Sequence, residues 1–174
     1  LCDVTPIVEQ TIIGNRLTSF TIKSRREVDF RNVGFYIPEF RNKDLEIHKD
    51  NEELKEKYVA HMKNLFNIYG DIVDTEIKVE DARFVLPNAC ETVLEFTCNG
   101  RELIHFMNER LCTRSQWEIR QLAQEMRKAV AAHDEQCAMF AEFLVPKCEI
   151  YGKENGFCTE HKSCGRQPKL SKVM

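Results

Sequence analysis

The chain has 174 residues, 43% of them hydrophobic and 30% charged, which suits one folded domain with a sizeable core and excludes a disordered or fibrous protein. The formal net charge of -3 excludes a global basic field for nucleic acid. No apolar run approaches bilayer-spanning length, and the opening LCDVTPIVEQ lacks the basic start and apolar stretch of a secretion signal, so the expected location is the cytoplasm.

In chain order, residues 5–18 carry a helical apolar pattern through Ile7, Val8, Ile12, Ile13 and Leu17. SFTIKS is strand-like, with Phe20 and Ile22 alternating. VGFYIPEF (33–40) is an aromatic extended piece stopped by Pro38. Residues 51–75 predict a long amphipathic helix: Leu54, Tyr58, His61, Met62, Leu65, Ile68, Tyr69 and Ile72 share one face. Asp50 and Asn51 offer its cap, with Glu52 and Glu53 in the favourable first turn. KVEDARFVLP (78–87) reads as a short helix ended by Pro87, and TVLEFTCN (92–99) as a strand. A helix over 100–112 follows, and another from about Gln116 to Phe143, ended by Val145-Pro146. This balance predicts an α+β fold, helix-rich with few strands. The expected division is a domain over 1–147 and a Cys/His-containing tail over 148–174.

Eight cysteines are present. Cys90, Cys98, Cys112 and Cys137 stand in apolar or helical contexts and are expected to be reduced core thiols. Cys148, Cys158 and Cys164, with His161, have the side chains a tetrahedral metal site needs. Their spacing is unlike common zinc knuckles, so a disulfide or a plain tail stands beside that reading, and no metal is assigned.

Arginines carry the chemistry. Arg16, Arg25, Arg26, Arg83, Arg101, Arg110, Arg114 and Arg120 lie in or beside apolar segments. One arginine on a solvated face is usually inert. Several beside apolar stripes suggest a pocket for an anion, because the planar guanidinium donates paired hydrogen bonds and stays charged when partly buried. The chain has seven glycines and no Walker loop or Gly-rich dinucleotide turn. No Ser-His-Asp spacing stands out, and no helical His-Glu-x-x-His occurs. The residues alone therefore indicate a polyanionic small-molecule site on helices and adjoining loops. A plainer reading stands beside it: Arg101 and Arg110 pairing with Glu102, Glu109 or Glu118, and His105 as a core histidine.

The ordered motifs go further. DARFVLPNACETVLEFTCNGRELIHFMNERLCTRSQWEIRQLAQEM resembles the C-terminal half of the flavin-dependent thymidylate synthases. That family shows A-R-x-x-L-P, a strand, N-x-R-x-L-x-H/N-F-x-x-x-R and then A-Q-x-E-I-R. Here these are Ala82-Arg83 with Leu86-Pro87, then Asn99, Arg101, Leu103, His105, Phe106 and Arg110, then Gln116, Glu118, Ile119 and Arg120. The upstream signature, R-H-R-x-x-S followed by S-x-R-Y, survives as Arg16, Ser19, Ser24 and Arg26. Gly14 and Asn15 replace the first Arg and the His, and Glu27 replaces the Tyr. FYIPEF resembles the family's F-Y-x-P element. The family's G-H-x-S-x-x-E-H box is not among the residues that precede Gly14. The similarity covers roughly residues 7 to 147.

The resemblance implies an α+β subunit with a small antiparallel or mixed sheet. It also implies a homotetramer with active sites shared between subunits. The implied reaction is methylation of dUMP to dTMP with FAD, NADPH and methylenetetrahydrofolate, without a cysteine nucleophile. Carried over by position, Ser24, Arg26 and Arg83 hold dUMP, and Arg110 is the catalytic group at its pyrimidine ring. Asn15, Arg16, Asn99, Arg101 and His105 face FAD. The alternative is a non-catalytic relative that binds a nucleotide or serves as a scaffold. No nucleic acid or membrane partner is expected.

Overall fold

A computed structural model describes residues 2–42, 46–150, 156–160 and 163–169. The chain forms two compact units. The first comprises residues 1–14 and 19–96, and the second residues 15–18 and 97–174. The described part of the tail after 147 thus belongs to the second unit.

The first unit opens with β1 (Cys2–Val4) and α1 (Pro6–Ile13). Pro6 suits the first turn of a helix, where its missing N–H costs nothing. The helix expected over 5–18 stops earlier, because Gly14 ends it. Its N–H returns to the carbonyl of Ile12, and the Thr18 hydroxyl donates to the Asn15 carbonyl at 2.8 Å, fixing the turn that follows. The strand β2 (Thr18–Ile22) then turns Phe20 and Ile22 to the more buried side, as alternation predicted. With β3 (Thr92–Cys98) the strands form a sheet of order β1-β3-β2, in which β1 runs antiparallel to β3. At three residues, β1 is too short to show alternation, and sequence reading missed it.

The long helix α2 (Asn51–Val73) forms where its pattern predicts and buries Met62 and Tyr69, but His61 and Ile68, expected on the same face, are exposed. Its cap differs from expectation. Asp50 makes no capping hydrogen bond through its side chain. The Asn51 amide instead accepts from the Phe40 N–H at 2.9 Å and donates to Glu39 Oε2 at 2.7 Å. It thereby holds the aromatic segment against the helix, where the Tyr58 hydroxyl donates to the Tyr36 carbonyl at 2.9 Å. That segment makes one isolated bridge, Phe35 with Cys90, rather than a strand. Pro38 has no N–H to offer a ladder.

A core of Phe30, Tyr69, Ala82 and Cys90 lies beneath α2. The buried Tyr69 hydroxyl accepts from the Phe30 N–H at 3.1 Å, and burial pushes the Cys90 thiol up to about 11. The short helix expected over 78–87 is one turn, α3 (Val79–Ala82), followed by a 3-10 turn over Arg83–Val85. Leu86 is already extended, as the residue before Pro87 must be.

The second unit holds α4 (Gly100–Arg110), α5 (Trp117–Ala131) and α6 (Glu135–Ala141). The Asn-Gly pair before α4 has a structural cause. Asn99 Oδ1 caps the helix by accepting from the Glu102 N–H at 2.9 Å. A side chain at Gly100 would stand 3.2 Å from the Phe140 ring. The single helix expected over 116–143 is two. Asp134 breaks it by accepting from the Cys137 N–H at 2.7 Å and starting α6. Phe106, Met107, Leu111, Ile119, Ala123, Ala141 and Leu144 are buried in this unit. Among the described residues, no helix is long and apolar enough to cross a membrane.

Candidate functional site

A groove of about 700 Å³ opens in the first unit, a size typical of small-molecule sites. Its charged wall is the chain that leaves β2. Lys23 donates its N–H to the Val93 carbonyl at 2.9 Å, the last tie to the sheet. A turn follows, in which Ser24 Oγ accepts from the Arg26 N–H at 3.2 Å and the Ser24 carbonyl accepts from the Val28 N–H at 3.2 Å. This turn sets Lys23, Ser24, Arg25 and Arg26 along the groove. Arg83 and Phe84 line it from the 3-10 turn, and Pro87 and Asn88 from the residues that follow. The structure therefore brings together Ser24, Arg26 and Arg83, the three residues expected to hold dUMP.

The cations differ in how they are held. Arg25 pairs with Glu9 in a short contact. Arg26 pairs with Glu80 at 3.2 Å through one Nη and at 3.3 Å through Nε. Lys23 Nζ lies 4.7 Å from the centroid of the Phe30 ring. Arg83 makes no ion pair among the described residues; its guanidinium sits 5.8 Å from the centroid of the neighbouring Phe84 ring. Phe84 is 83% exposed. Such a wall of fixed guanidinium donors and a hydroxyl suits a phosphate, and the exposed aromatic suits a flat partner.

Arg25 was among the arginines whose place beside apolar segments suggested an anion pocket, whereas Lys23 and Phe84 were not anticipated. The KSRRE run carried the signal for Lys23. Nothing local marked Phe84, which stands in a stretch read as a short helix.

The remaining expected residues lie in the second unit. Arg101 and His105 are exposed one turn apart on α4, whereas Glu102, Phe106 and Met107 turn inward. His105 is therefore not a core histidine. Asn99, expected at FAD, spends its carbonyl oxygen on the helix cap. Asn15 is half-buried, and Arg16 is exposed. Arg110 is half-buried, and its buried Nε–H has no hydrogen-bond partner. Glu109, one of its sequence-expected partners, instead meets Lys147 at 3.5 Å. An orphaned buried donor is costly.

Of the expected core thiols, Cys90 is buried, while Cys98, Cys112 and Cys137 are only partly so. Cys112 lines a small cavity beside the tail instead. Among the described residues no group of three Cys, His, Asp or Glu side chains already stands in position to hold a metal; His161 lies outside those residues.

A sequence model of the family described as thymidylate synthase complementing protein, Thy1, matches residues 2–134. The chain belongs to the Thy1 family. It is 40% identical over 119 residues to the flavin-dependent thymidylate synthase of Geobacter sulfurreducens, covering 68% of this chain and 49% of that protein. It is 32% identical over 179 residues to the enzyme of the same name from Clostridium tetani, covering 93% of this chain and 66% of the relative. Against the Pyrococcus furiosus enzyme of that name, identity is 38% over 155 residues, with 86% and 59% covered. The chain thus spans about half to two-thirds of the length of these curated Thy1 relatives. A solved structure of similar fold is the UMP/dUMP methylase PolB from Streptomyces cacaoi bound with 5-Br dUMP. It superposes with a TM-score of 0.64 at 27% identity, covering 74% of this chain and 63% of that one.

Proposed function

We propose that this chain acts as a flavin-dependent thymidylate synthase, methylating dUMP to dTMP with methylenetetrahydrofolate and NADPH. The observation that supports this most directly is the groove that gathers Ser24, Arg26 and Arg83. The guanidinium groups receive the nucleotide phosphate, and the Ser24 hydroxyl adds a neutral donor beside them. By its family position, Arg110 is the group that polarises a pyrimidine carbonyl, where negative charge develops as the ring is activated.

FAD is the implied cofactor, and the donor set of the second unit fits it. Arg16, Arg101 and His105 expose cationic or hydrogen-bonding groups suited to a dinucleotide's phosphates and polar ring edges. When bound, the flavin supplies the reducing chemistry that no side chain here provides. Arg16 and Arg101 bind its anionic part, His105 and Asn15 orient it, and Asn99 holds the N-terminus of α4 in place. The working form is a cytoplasmic homotetramer with sites shared between subunits. Leu17, Phe84, Met139 and Phe143, each more than half exposed, supply apolar surface for such assembly.

Release of tritium from 5-tritiated dUMP, in the presence of FAD, NADPH and methylenetetrahydrofolate, tests the reading. Release above a protein-free control supports it. Binding of dUMP without release would instead favour the non-catalytic relative, a reading that the replacement of the signature Arg and His by Gly14 and Asn15 keeps in view.

A further inference from the structure

The second unit contains a chemistry that thymidylate synthesis does not use. Cys112, just beyond α4, and Cys148, just after Pro146, line one small cavity together with Cys158 and Cys164 from the tail. The space is about 10 Å³, room for one water-sized body and too small for an organic ligand. We propose that Cys112, Cys148, Cys158 and Cys164 form a tetrahedral thiolate site for zinc.

Four cysteines lining one small cavity carry the donor set of a closed structural zinc site. The walls are built to hold them there. Lys147, next to Cys148, meets Glu109 at 3.5 Å and Glu160 at 3.0 Å, tying the end of α4 to the residues beside Cys158. The Cys158 N–H donates to the Pro168 carbonyl at 2.7 Å, so the tail folds back on itself. Gly156 and Gly165 adopt positive φ, at 70° and 92°, giving the tight turns that present Cys158 and Cys164.

The surroundings also suit anionic sulfur. Cys164 receives hydrogen bonds from the Arg166 N–H and from the Thr113 side chain, which hold its thiol below the ordinary value. An N–H two residues beyond the sulfur, across a positive-φ glycine, is a backbone dipole aimed at a thiolate. The Arg166 side chain bonds Cys148 and meets Glu149 at 3.3 Å, closing the outer side. Burial, by contrast, pushes the Cys148 thiol up.

The sulfurs do not yet stand at ligation distance, so the ion draws them inward as it binds. Metal uptake is then coupled to the settling of the Cys158 and Cys164 turns around the ion. Cys112 takes the place of His161 in the set that the residue types of the tail had suggested.

The test uses the full chain, purified under reducing conditions, stripped of metal and titrated with cobalt(II) and then zinc. The expected result is one ion per chain. Cobalt should give the visible absorption of a tetrahedral thiolate complex, and zinc should displace it. Cys112→Ser and Cys158→Ser should each abolish that spectrum, whereas Cys137→Ser, outside the cavity, should keep it. Zinc should also slow amide exchange in the described segment 156–160 of the wild-type chain, a readout that needs no variant. A wild-type chain that takes up no cobalt while its thiols react freely overturns the proposal. So does mass spectrometry showing these four cysteines joined as two disulfides, or retention of the cobalt spectrum by both cavity variants.

Discussion

The Arg26 guanidinium lies 3.2 Å from the Glu80 carboxylate at the edge of the groove, while Arg83 across from it pairs with no carboxylate among the described residues. The two arginines therefore meet a phosphate from different starting points. Arg83 has only its place over the Phe84 ring to give up. Arg26 must first loosen an ion pair, so part of its attraction for the ligand is already spent on Glu80. Because that pair is largely exposed, the competition is worth no more than about 1 kcal/mol. Glu80→Gln should accordingly tighten dUMP binding by up to about fivefold. Calorimetric titration of both proteins checks this, and weaker binding by the variant would show Glu80 to be a positioning group.

Flavin retention should respond to the altered signature. Gly14 and Asn15 stand where the family has Arg and His. A side chain at Gly14 would meet nothing nearer than the Thr11 carbonyl at 3.6 Å, and its φ of -70° suits any residue. The double substitution Gly14→Arg with Asn15→His is therefore sterically open. One or two added charge-assisted contacts, at about 1.5–3 kcal/mol each, should tighten FAD at least tenfold. Flavin absorbance remaining after dialysis is the measurement; equal retention by both proteins would refute the assignment of this turn to FAD.

Arg110 should divide catalysis from stability. Its buried Nε–H has no partner, so Arg110→Ala removes an unsatisfied donor along with the side chain. Thermal stability should fall little. Turnover should fall by about a hundredfold to a thousandfold, the cost of removing a preorganised donor, while dUMP affinity changes less than about tenfold. Tritium release and calorimetry on one preparation separate these effects. A matched loss of binding and turnover would place Arg110 in ground-state binding instead.

The start of α6 should loosen in acid. The Cys137 N–H holds the Asp134 carboxyl below the usual range. A depressed carboxylate contributes stability that is present above its unfolded value of about 3.9 and lost as pH falls through the folded one. The Cys137 amide resonance should therefore titrate below the ordinary carboxylate range, and Asp134→Asn should flatten that dependence. Titration at or above the ordinary range would contradict the cap.

What the sequence revealed follows from how locally each feature is written. The helix α2 was legible because its stripe persists from Leu54 to Ile72, far longer than a strand allows. The break between α5 and α6 was not, because apolar spacing continues through it and only the Asp134 cap interrupts the backbone. Asn51 looked like a helix cap, yet its amide serves Phe40 and Glu39, contacts that no local pattern encodes. At the groove, Arg26 and Arg83 were legible only through the ordered family motif, since neither differs in type from a solvated arginine. Phe84 was lost because exposure depends on the turn that Pro87 enforces. Cys112 was set apart from the tail cysteines because their meeting is made by tertiary folding.

The central claim is that the groove beneath Arg83 takes the phosphate of a pyrimidine nucleotide. Calorimetric titration of the wild-type chain and of Arg83→Ala with dUMP, and of the wild-type chain with deoxyuridine, tests it most directly. Wild type should bind dUMP. Arg83→Ala should bind it about tenfold to a hundredfold more weakly, as one lost charge-assisted contact of about 1.5–3 kcal/mol requires. Deoxyuridine, which lacks the phosphate, should bind at least as weakly as dUMP does to the variant. Equal dUMP affinity in wild type and Arg83→Ala, or no dUMP binding by either, would contradict the account.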